Sequence, residues 1–133
     1  MAKGKAEYEA RQSALNLLGK DLARRAKSKC ELCEEGGKAL SVAEVPPAPK
    51  VPDIDCCVMI CEDCSAAVSD PKRFRAGENW RVLTKTVWSD IPAVQVLAVR
   101  LMKRQSDSQS WAGEALDGLF LDEAVEKWVT EAG

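Results

Sequence analysis

The amino-acid sequence predicts an α+β fold, in which a small four-cysteine finger with a β-hairpin lies between an N-terminal helix and a helical second half. Three observations predict it. Leucines recur every three or four residues near the N-terminus, which is the spacing of an amphipathic helix. Two short apolar runs flank a proline-rich loop in the middle of the chain. From Pro92 onwards, apolar residues follow a helical spacing again.

The chain has 133 residues, a length that suits one domain. We divide it into a basic N-terminal helix (1–29), a four-cysteine ribbon (30–70) and a helical C-terminal region (71–133). We expect the C-terminal region to pack with the ribbon as one domain. All four tryptophans lie in this second half, so a conventional core is expected there.

The N-terminal helix is predicted over residues 6–28. Leu15, Leu18 and Leu22 form its apolar stripe, and charged side chains occupy its other faces. Gly19 lies within this helix and costs about 1 kcal/mol relative to alanine. The pattern therefore fits either one long helix or two shorter helices with a break at Gly19.

Two strands are predicted between the cysteine pairs. Residues 39–45 alternate enough for one strand, and residues 56–60 suit a second strand that pairs with it. Prolines lack a backbone donor and force the loop between the strands into an extended, irregular path. The prolines of this loop are Pro46, Pro47, Pro49 and Pro52. A short helix over 65–68 is predicted after the second strand, ending near Pro71.

The second half is predicted to be helical, with one ambiguous segment. Residues 80–88 contain β-branched side chains that favour a strand, although their pattern also fits a helix. A helix begins near Pro92, which suits a first helical turn, with Asp90 as its cap. The apolar face of that helix consists of Val94, Leu97, Ala98 and Leu101. Amphipathic helices over 111–119 and 122–130 follow.

Two CxxC pairs carry the clearest chemical signal. They are Cys30 with Cys33 and Cys61 with Cys64, with 27 residues between the pairs. Each CxxC turn presents two thiolates to one ion, and a hairpin between the turns brings both pairs together, so the pattern predicts one tetrahedral Zn²⁺ site. Four thiolates leave no open coordination position. The zinc would therefore be structural, and its binding would contribute to folding.

Other roles for these cysteines stay open: a redox-active pair, two disulfides or an iron–sulfur cluster. A redox CxxC needs a βαβ unit that this pattern lacks. Disulfides are disfavoured in a reducing cytosol, where we expect the protein because no stretch resembles a secretion signal or a membrane span. Cys56 and Cys57 are rival ligands, but neighbours on a strand point to opposite faces. We expect one of them to be buried and the other partly exposed.

The chain contains no histidine. This removes the usual general base, the Cys–His nucleophile pair and any mixed Cys–His catalytic zinc site. Carboxylates such as Glu44 and Asp63 are expected to be solvated surface acids. We therefore predict a zinc-stabilised interaction or regulatory module that is not an enzyme.

The distribution of charge suggests partners. Residues 1–29 are rich in basic side chains and residues 113–133 in acidic ones, so the two ends could attract each other or the first could bind a polyanion. The candidate nucleic-acid-binding residues are Lys20, Arg24, Arg25, Lys27 and Lys29. A solvated helix face explains the same cluster. We expect an unidentified protein partner or nucleic acid as partner, and no membrane; the oligomeric state cannot be predicted.

Several sequence strings resemble the N-terminal part of bacterial PhnA proteins, and the resemblance covers nearly the whole chain. They are RQSALNLLGKDLARRAKSKCELC, LSVAEVPPAP, CEDC, WRVLTKTVWSDIPAVQVLAVRLMKR and WAGEALDGLFLDEAVEKWVTEAG. The resemblance implies that Cys30, Cys33, Cys61 and Cys64 are the zinc-ribbon ligands, and that Cys56 and Cys57 are not ligands. It also implies a role in alkylphosphonate metabolism, since the family takes its name from an operon for alkylphosphonate use.

This sequence departs from the PhnA pattern in one respect. Longer family members continue into a small β-barrel that resembles SH3-like folds, and this sequence stops where the linker to that barrel would begin. We expect either a natural short form or a truncated one. A phosphonate hydrolase would want an open dinuclear site built with histidine, so hydrolysis is not expected.

The order of a basic helix, CxxC, a strand and a CxxC that opens a helix also resembles the treble-clef arrangement of HNH nucleases. Those enzymes place histidines after the first strand, near positions 43–45, where this chain has Ala, Glu and Val. The resemblance therefore implies a degenerate treble clef without nuclease activity. Such a protein could still bind nucleic acid.

Overall fold

A computed structural model describes residues 2–70 and 80–131 and has an α+β fold, with a two-stranded antiparallel hairpin and helices on either side of it in the chain. The elements are α1 (Ala2–Ala26), β1 (Leu40–Glu44), a 3-10 turn (Ile54–Cys56), β2 (Cys57–Cys61), α2 (Glu62–Ser69), α3 (Leu83–Thr86), α4 (Pro92–Gln105), α5 (Ser110–Asp117) and α6 (Glu123–Glu131). The start of the predicted C-terminal region, 71–79, and the predicted helix end at Pro71 lie outside the described residues. Within the described ranges, no helix has both the length and the apolar character needed to cross a bilayer.

α1 is one continuous helix and does not break at Gly19. Leu15 and Leu22 are buried in a cluster with Cys57 and Met59 of β2, so the predicted stripe faces the hairpin. A Cβ atom built on Gly19 would lie 3.8 Å from Cγ2 of Val42 in β1. This distance is an ordinary van der Waals contact, and it places the glycine where α1 approaches the sheet closely.

β2 is buried on both of its faces. It pairs with β1 in the register Leu40↔Cys61 to Glu44↔Cys57. Alternate residues of a strand point to opposite sides: Cys57 and Met59 join the cluster under α1, whereas Val58 and Ile60 join the main core with α4. The core therefore draws on both halves of the chain, and not on the second half alone.

The second strand begins one residue later than predicted. Cys56 ends the 3-10 turn, and the strand starts at Cys57. The turn is held by Asp53, whose carboxylate accepts a hydrogen bond of 2.9 Å from the backbone N–H of Asp55. Cys57 is fully buried and Cys56 is half-buried, so their exposure differs as expected. The reason is not that they are neighbours on a strand, because Cys56 lies in the 3-10 turn and only Cys57 lies in β2.

Arg11 fastens the proline-rich loop to α1 and the hairpin. Its Nε donates to a carboxylate oxygen of Glu44 at 2.9 Å. The same guanidinium donates to the backbone carbonyls of Pro49 at 2.8 Å and of Lys50 at 3.1 Å. A loop rich in proline offers few N–H groups for local pairing, so an arginine side chain supplies the donors that its carbonyl groups need.

α4 is the central helix of the second half. The predicted apolar face of this helix is buried. Val96, Val99 and Met102 are buried as well, so neighbouring elements enclose the helix on nearly all sides. It begins at Pro92 as predicted, but its N-cap is Ile91, without a capping side chain. Ser89 Oγ, and not Asp90, accepts the N–H of Ile91 at 3.1 Å.

The ambiguous segment 80–88 contains a short helix, α3, and not a strand. Its backbone closes helical bonds, such as Val87 N–H to the Leu83 carbonyl at 2.9 Å. Leu83 and Val87 are fully buried against the core, so packing overrides the β propensity of this segment. The predicted helices over 111–119 and 122–130 correspond to α5 and α6.

Replacement of Gly19 tests the close approach of α1 to the sheet. Gly19→Ala should stabilise the protein by up to about 1 kcal/mol, because alanine favours a helix and the added methyl group meets no clash. Gly19→Leu should destabilise it, because the longer side chain must displace Val42. Urea unfolding measures both changes. A destabilised Gly19→Ala variant would show that the helix lies closer to β1 than 3.8 Å allows.

Candidate metal centre

The first cysteine pair lies on a tight turn directly after α1. An isolated bridge joins Lys29 to Gly36, and the N–H of Cys30 donates to the carbonyl of Glu35 at 3.0 Å. The turn is closed by a second bond, from the N–H of Glu34 to the carbonyl of Cys30 at 2.8 Å. Glu34 and Gly37 have φ angles of 66° and 74°, the left-handed conformation that glycine tolerates best. The turn directs both sulfur atoms towards β2 and α2.

The second pair lies where β2 passes into α2. Cys61 is the last residue of the strand and the N-cap of the helix, and Cys64 lies in the first helical turn. The hairpin therefore brings the second pair to the first.

The four sulfur atoms form one compact cluster, with all of them within 4.8 Å of one another. Sγ of Cys30 lies 3.7 Å from that of Cys64, and Sγ of Cys33 lies 3.8 Å from that of Cys61. A tetrahedral Zn–S distance of about 2.3 Å gives sulfur–sulfur edges of about 3.8 Å. A disulfide would need about 2.0 Å, and all six cysteines are free thiols. The donor set and its spacing fit one zinc ion.

Burial and hydrogen bonds set the protonation of the cluster. The pKa of Cys30 falls to about 4, first because its sulfur is hydrogen-bonded to that of Cys64, against the opposing effect of burial, and then because nearby backbone N–H groups donate to it. The pKa of Cys33 rises to about 11, mainly through burial. The pKa of Cys64 is raised, first by its hydrogen bond with Cys30 and then by burial. Crowded sulfurs thus share protons, and a divalent cation would replace those protons.

A carboxylate inside the first CxxC ties the turn to β2. The side chain of Glu31 is only 3% exposed, and its Oε1 accepts the backbone N–H of Met59 at 2.7 Å. Arg25 binds both carboxylate oxygens of Glu31 at 2.8 Å and also donates to the carbonyl of Cys57 at 2.8 Å. This network fixes the position of Cys30 relative to the strand that carries Cys61.

A second link joins the turn to the helices that follow. Leu32, between the two cysteines, is fully buried, and its carbonyl accepts a hydrogen bond of 2.9 Å from Oγ1 of Thr86 in α3. Neither Glu31 nor Thr86 is predicted as a positioning residue from the sequence. Glu31 stands out only as the acid inside a CxxC, and nothing in the local sequence marks Thr86, whose partner is 54 positions away.

The other residues singled out from the sequence are dispersed. Arg25 forms the internal network just described, whereas Lys20, Arg24, Lys27 and Lys29 are exposed. Glu44 binds Arg11, and Asp63 accepts a hydrogen bond of 3.2 Å from Lys38. Cys56 and Cys57 are absent from the sulfur cluster. Among the residues that the structure describes, the four predicted metal ligands thus lie together. The predicted basic cluster is divided between an internal residue and surface residues.

Cysteine labelling tests this arrangement. In zinc-loaded protein, iodoacetamide should modify Cys56 first, because Cys56 is half-buried and Cys57 is fully enclosed, with a pKa that burial raises to about 11. The rate at Cys56 should increase with pH, since its pKa is also raised and thiolate is the reactive form. Mass spectrometry of peptides measures each site. Chelator and denaturant together should expose every cysteine, and rapid labelling of Cys33 in the loaded protein would contradict its role as a ligand.

Comparison with known proteins adds no family to this geometry. Searches against protein-family models, curated proteins and solved structures found no match to the chain. The resemblance to PhnA proteins stays a prediction from the sequence strings. The chain is therefore characterised by its fold, an α+β arrangement with four cysteines placed to hold one metal ion.

Proposed function

We propose that the protein is a zinc-binding interaction module in which the ion is structural and catalyses no reaction. One observation carries this proposal: four cysteine sulfur atoms lie within 4.8 Å of one another, at the spacing of a tetrahedral zinc site. Cys30, Cys61 and Cys64 are nearly fully buried. A complete set of thiolate ligands leaves no coordination position for a substrate.

The order of elements around the cluster supports a treble-clef-like finger more than a ribbon. The first pair lies on a knuckle, a hairpin follows, and the second pair opens α2. A ribbon would carry both pairs on hairpin turns. Surface apolar side chains such as Trp88 (55% exposed) and Phe120 (89% exposed) supply contact area for a partner protein. Membership of the PhnA family and a role in alkylphosphonate metabolism are proposed from the sequence strings alone.

Ligand substitution tests the metal site. Cys33→Ser should remove most bound zinc and unfold the finger, because zinc binding contributes about 10–16 kcal/mol in small zinc peptides. Cys56→Ser is the matched control: it makes the same atomic change outside the cluster and should leave the zinc content at one ion per chain. Metal analysis and the thiolate-to-cobalt absorption of Co²⁺-loaded protein measure the result. Equal zinc loss in both variants, or a folded wild-type protein that binds no zinc, would disprove the proposal.

Nucleic-acid binding is a second candidate, and one surface feature favours it. Lys20 and Arg24 lie four residues apart on α1, so they share the face that is opposite its buried leucines. Lys27 and Lys29 are exposed just beyond the end of the helix. Within residues 2–70 and 80–131, none of these side chains forms an ion pair. A row of unpaired cations suits contact with successive phosphates.

Salt-dependent titration tests this second candidate. Fluorescence anisotropy with a labelled oligonucleotide should show binding that weakens as salt increases. Substituting glutamine for Lys20, Arg24 and Lys27 should weaken binding and reduce the salt slope by about one for each phosphate that the variant no longer neutralises. Substituting glutamine for Lys5, Lys50 and Lys127 changes the net charge equally and is the control. Absence of binding at low salt would reject the candidate.

A further inference from the structure

A cavity of about 400 Å³ lies between α4 and the C-terminal end of α6. Its lining consists of Arg100, Lys103, Arg104, Val129 and Thr130. The three cations occupy positions i, i+3 and i+4 of α4, so they share one helix face. Among the described residues that line the cavity, none is acidic. The cavity therefore concentrates positive charge around an open space.

Arg100 is the inner wall of this cavity and is only 7% exposed. Its Nη2 donates to the carbonyl of Trp128 at 2.6 Å, and its Nε donates to that of Val129 at 3.2 Å. These bonds satisfy carbonyl groups at the end of α6, where a cation is also favoured by the helix dipole. They leave Nη1 without a hydrogen bond to any described residue, so the guanidinium keeps donors for a further acceptor.

Arg104 and Lys103 also keep hydrogen-bond donors for a ligand. Arg104 donates through Nη1 to the carbonyl of Ala67 in α2 at 3.2 Å. Lys103 is exposed and forms no ion pair with a residue in the described ranges. The pKa of Arg100 is lowered, first by burial and then by the charge of Arg104, while Glu131 opposes the shift. Neutral carbonyl groups thus bind part of the cluster, and Glu131 offsets only part of its charge.

We propose that this cavity binds a small dianionic phosphoryl group, either inorganic phosphate or a phosphomonoester. The planar fork of an arginine offers two parallel N–H donors to a phosphoryl oxygen pair, and a lysine adds a mobile point charge. Three positive charges beside the single negative charge of Glu131 are balanced better by a dianion than by a carboxylate ligand, which carries one charge. Val129 offers an apolar wall for the organic part of a monoester.

Thr130 is not a donor to the ligand in this arrangement, because its hydroxyl donates to the carbonyl of Lys127 at 2.9 Å. Recognition therefore depends on Arg100 and Lys103, with Arg104 adding charge. The site is formed by α4 and α6, and the sulfur cluster contributes no residue to it. Phosphate binding in this cavity is therefore independent of the zinc-binding function proposed above.

Calorimetric titration of the full zinc-loaded chain tests the site with three probes: inorganic phosphate, phenyl phosphate and acetate, at constant ionic strength set by sodium chloride. Phosphate should bind, and acetate should bind more weakly. Lys103→Gln should weaken phosphate binding roughly tenfold, the effect expected for one charge-assisted hydrogen bond. Lys50→Gln removes the same charge from the exposed loop outside the cavity and should leave the affinity unchanged.

Arg100→Lys is the second variant, since it keeps the charge and removes the fork. It should weaken phosphate binding while circular dichroism reports an intact helical fold, and if it unfolds, Lys103→Gln decides alone. Tighter binding of phenyl phosphate identifies a monoester as the ligand, and tighter binding of inorganic phosphate identifies the free ion. No phosphate binding, equal affinity for acetate, or an equal decrease in affinity for Lys103→Gln and Lys50→Gln would overturn the proposal.

Discussion

Four sulfur atoms converge where the first cysteine turn, the end of β2 and the start of α2 meet. As thiolates at 3.7–3.8 Å they repel one another strongly, and as thiols they share protons. A single divalent cation would resolve this conflict and would join two chain segments that are 27 residues apart. The arrangement of the surrounding elements follows from the need to bring those segments together.

Hydrogen bonds support this convergence from both sides. Glu31 and Arg25 hold the first turn against β2, and Thr86 holds it against α3. Such outer contacts fix the direction in which ligands point and thereby tune the metal site. The basic end of α1 thus has two roles: Arg25 binds Glu31 and β2 in the interior, whereas Lys20 and Arg24 remain at the surface.

Local patterns predicted much of the fold and the composition of the cluster. The leucine spacing of α1, the strands around the prolines and the CxxC pairs depend on neighbours in the chain, and these predictions agree with the structure. The local pattern of segment 80–88 left strand and helix equally open, because the burial of Leu83 and Val87, and not local propensity, determines that it is helical. Glu31, Thr86 and Arg100 have roles set by distant partners, and a single sequence does not reveal such pairs.

β2 separates two apolar clusters, one beneath α1 and one around α4. A strand of only five residues is thus a shared wall. Disorder at Cys61 would remove a side from each cluster at once, because Met59 and Ile60 face opposite ways. The helices on both sides of the hairpin should consequently lose their protection from amide hydrogen exchange together, as one cooperative unit, and not in separate steps.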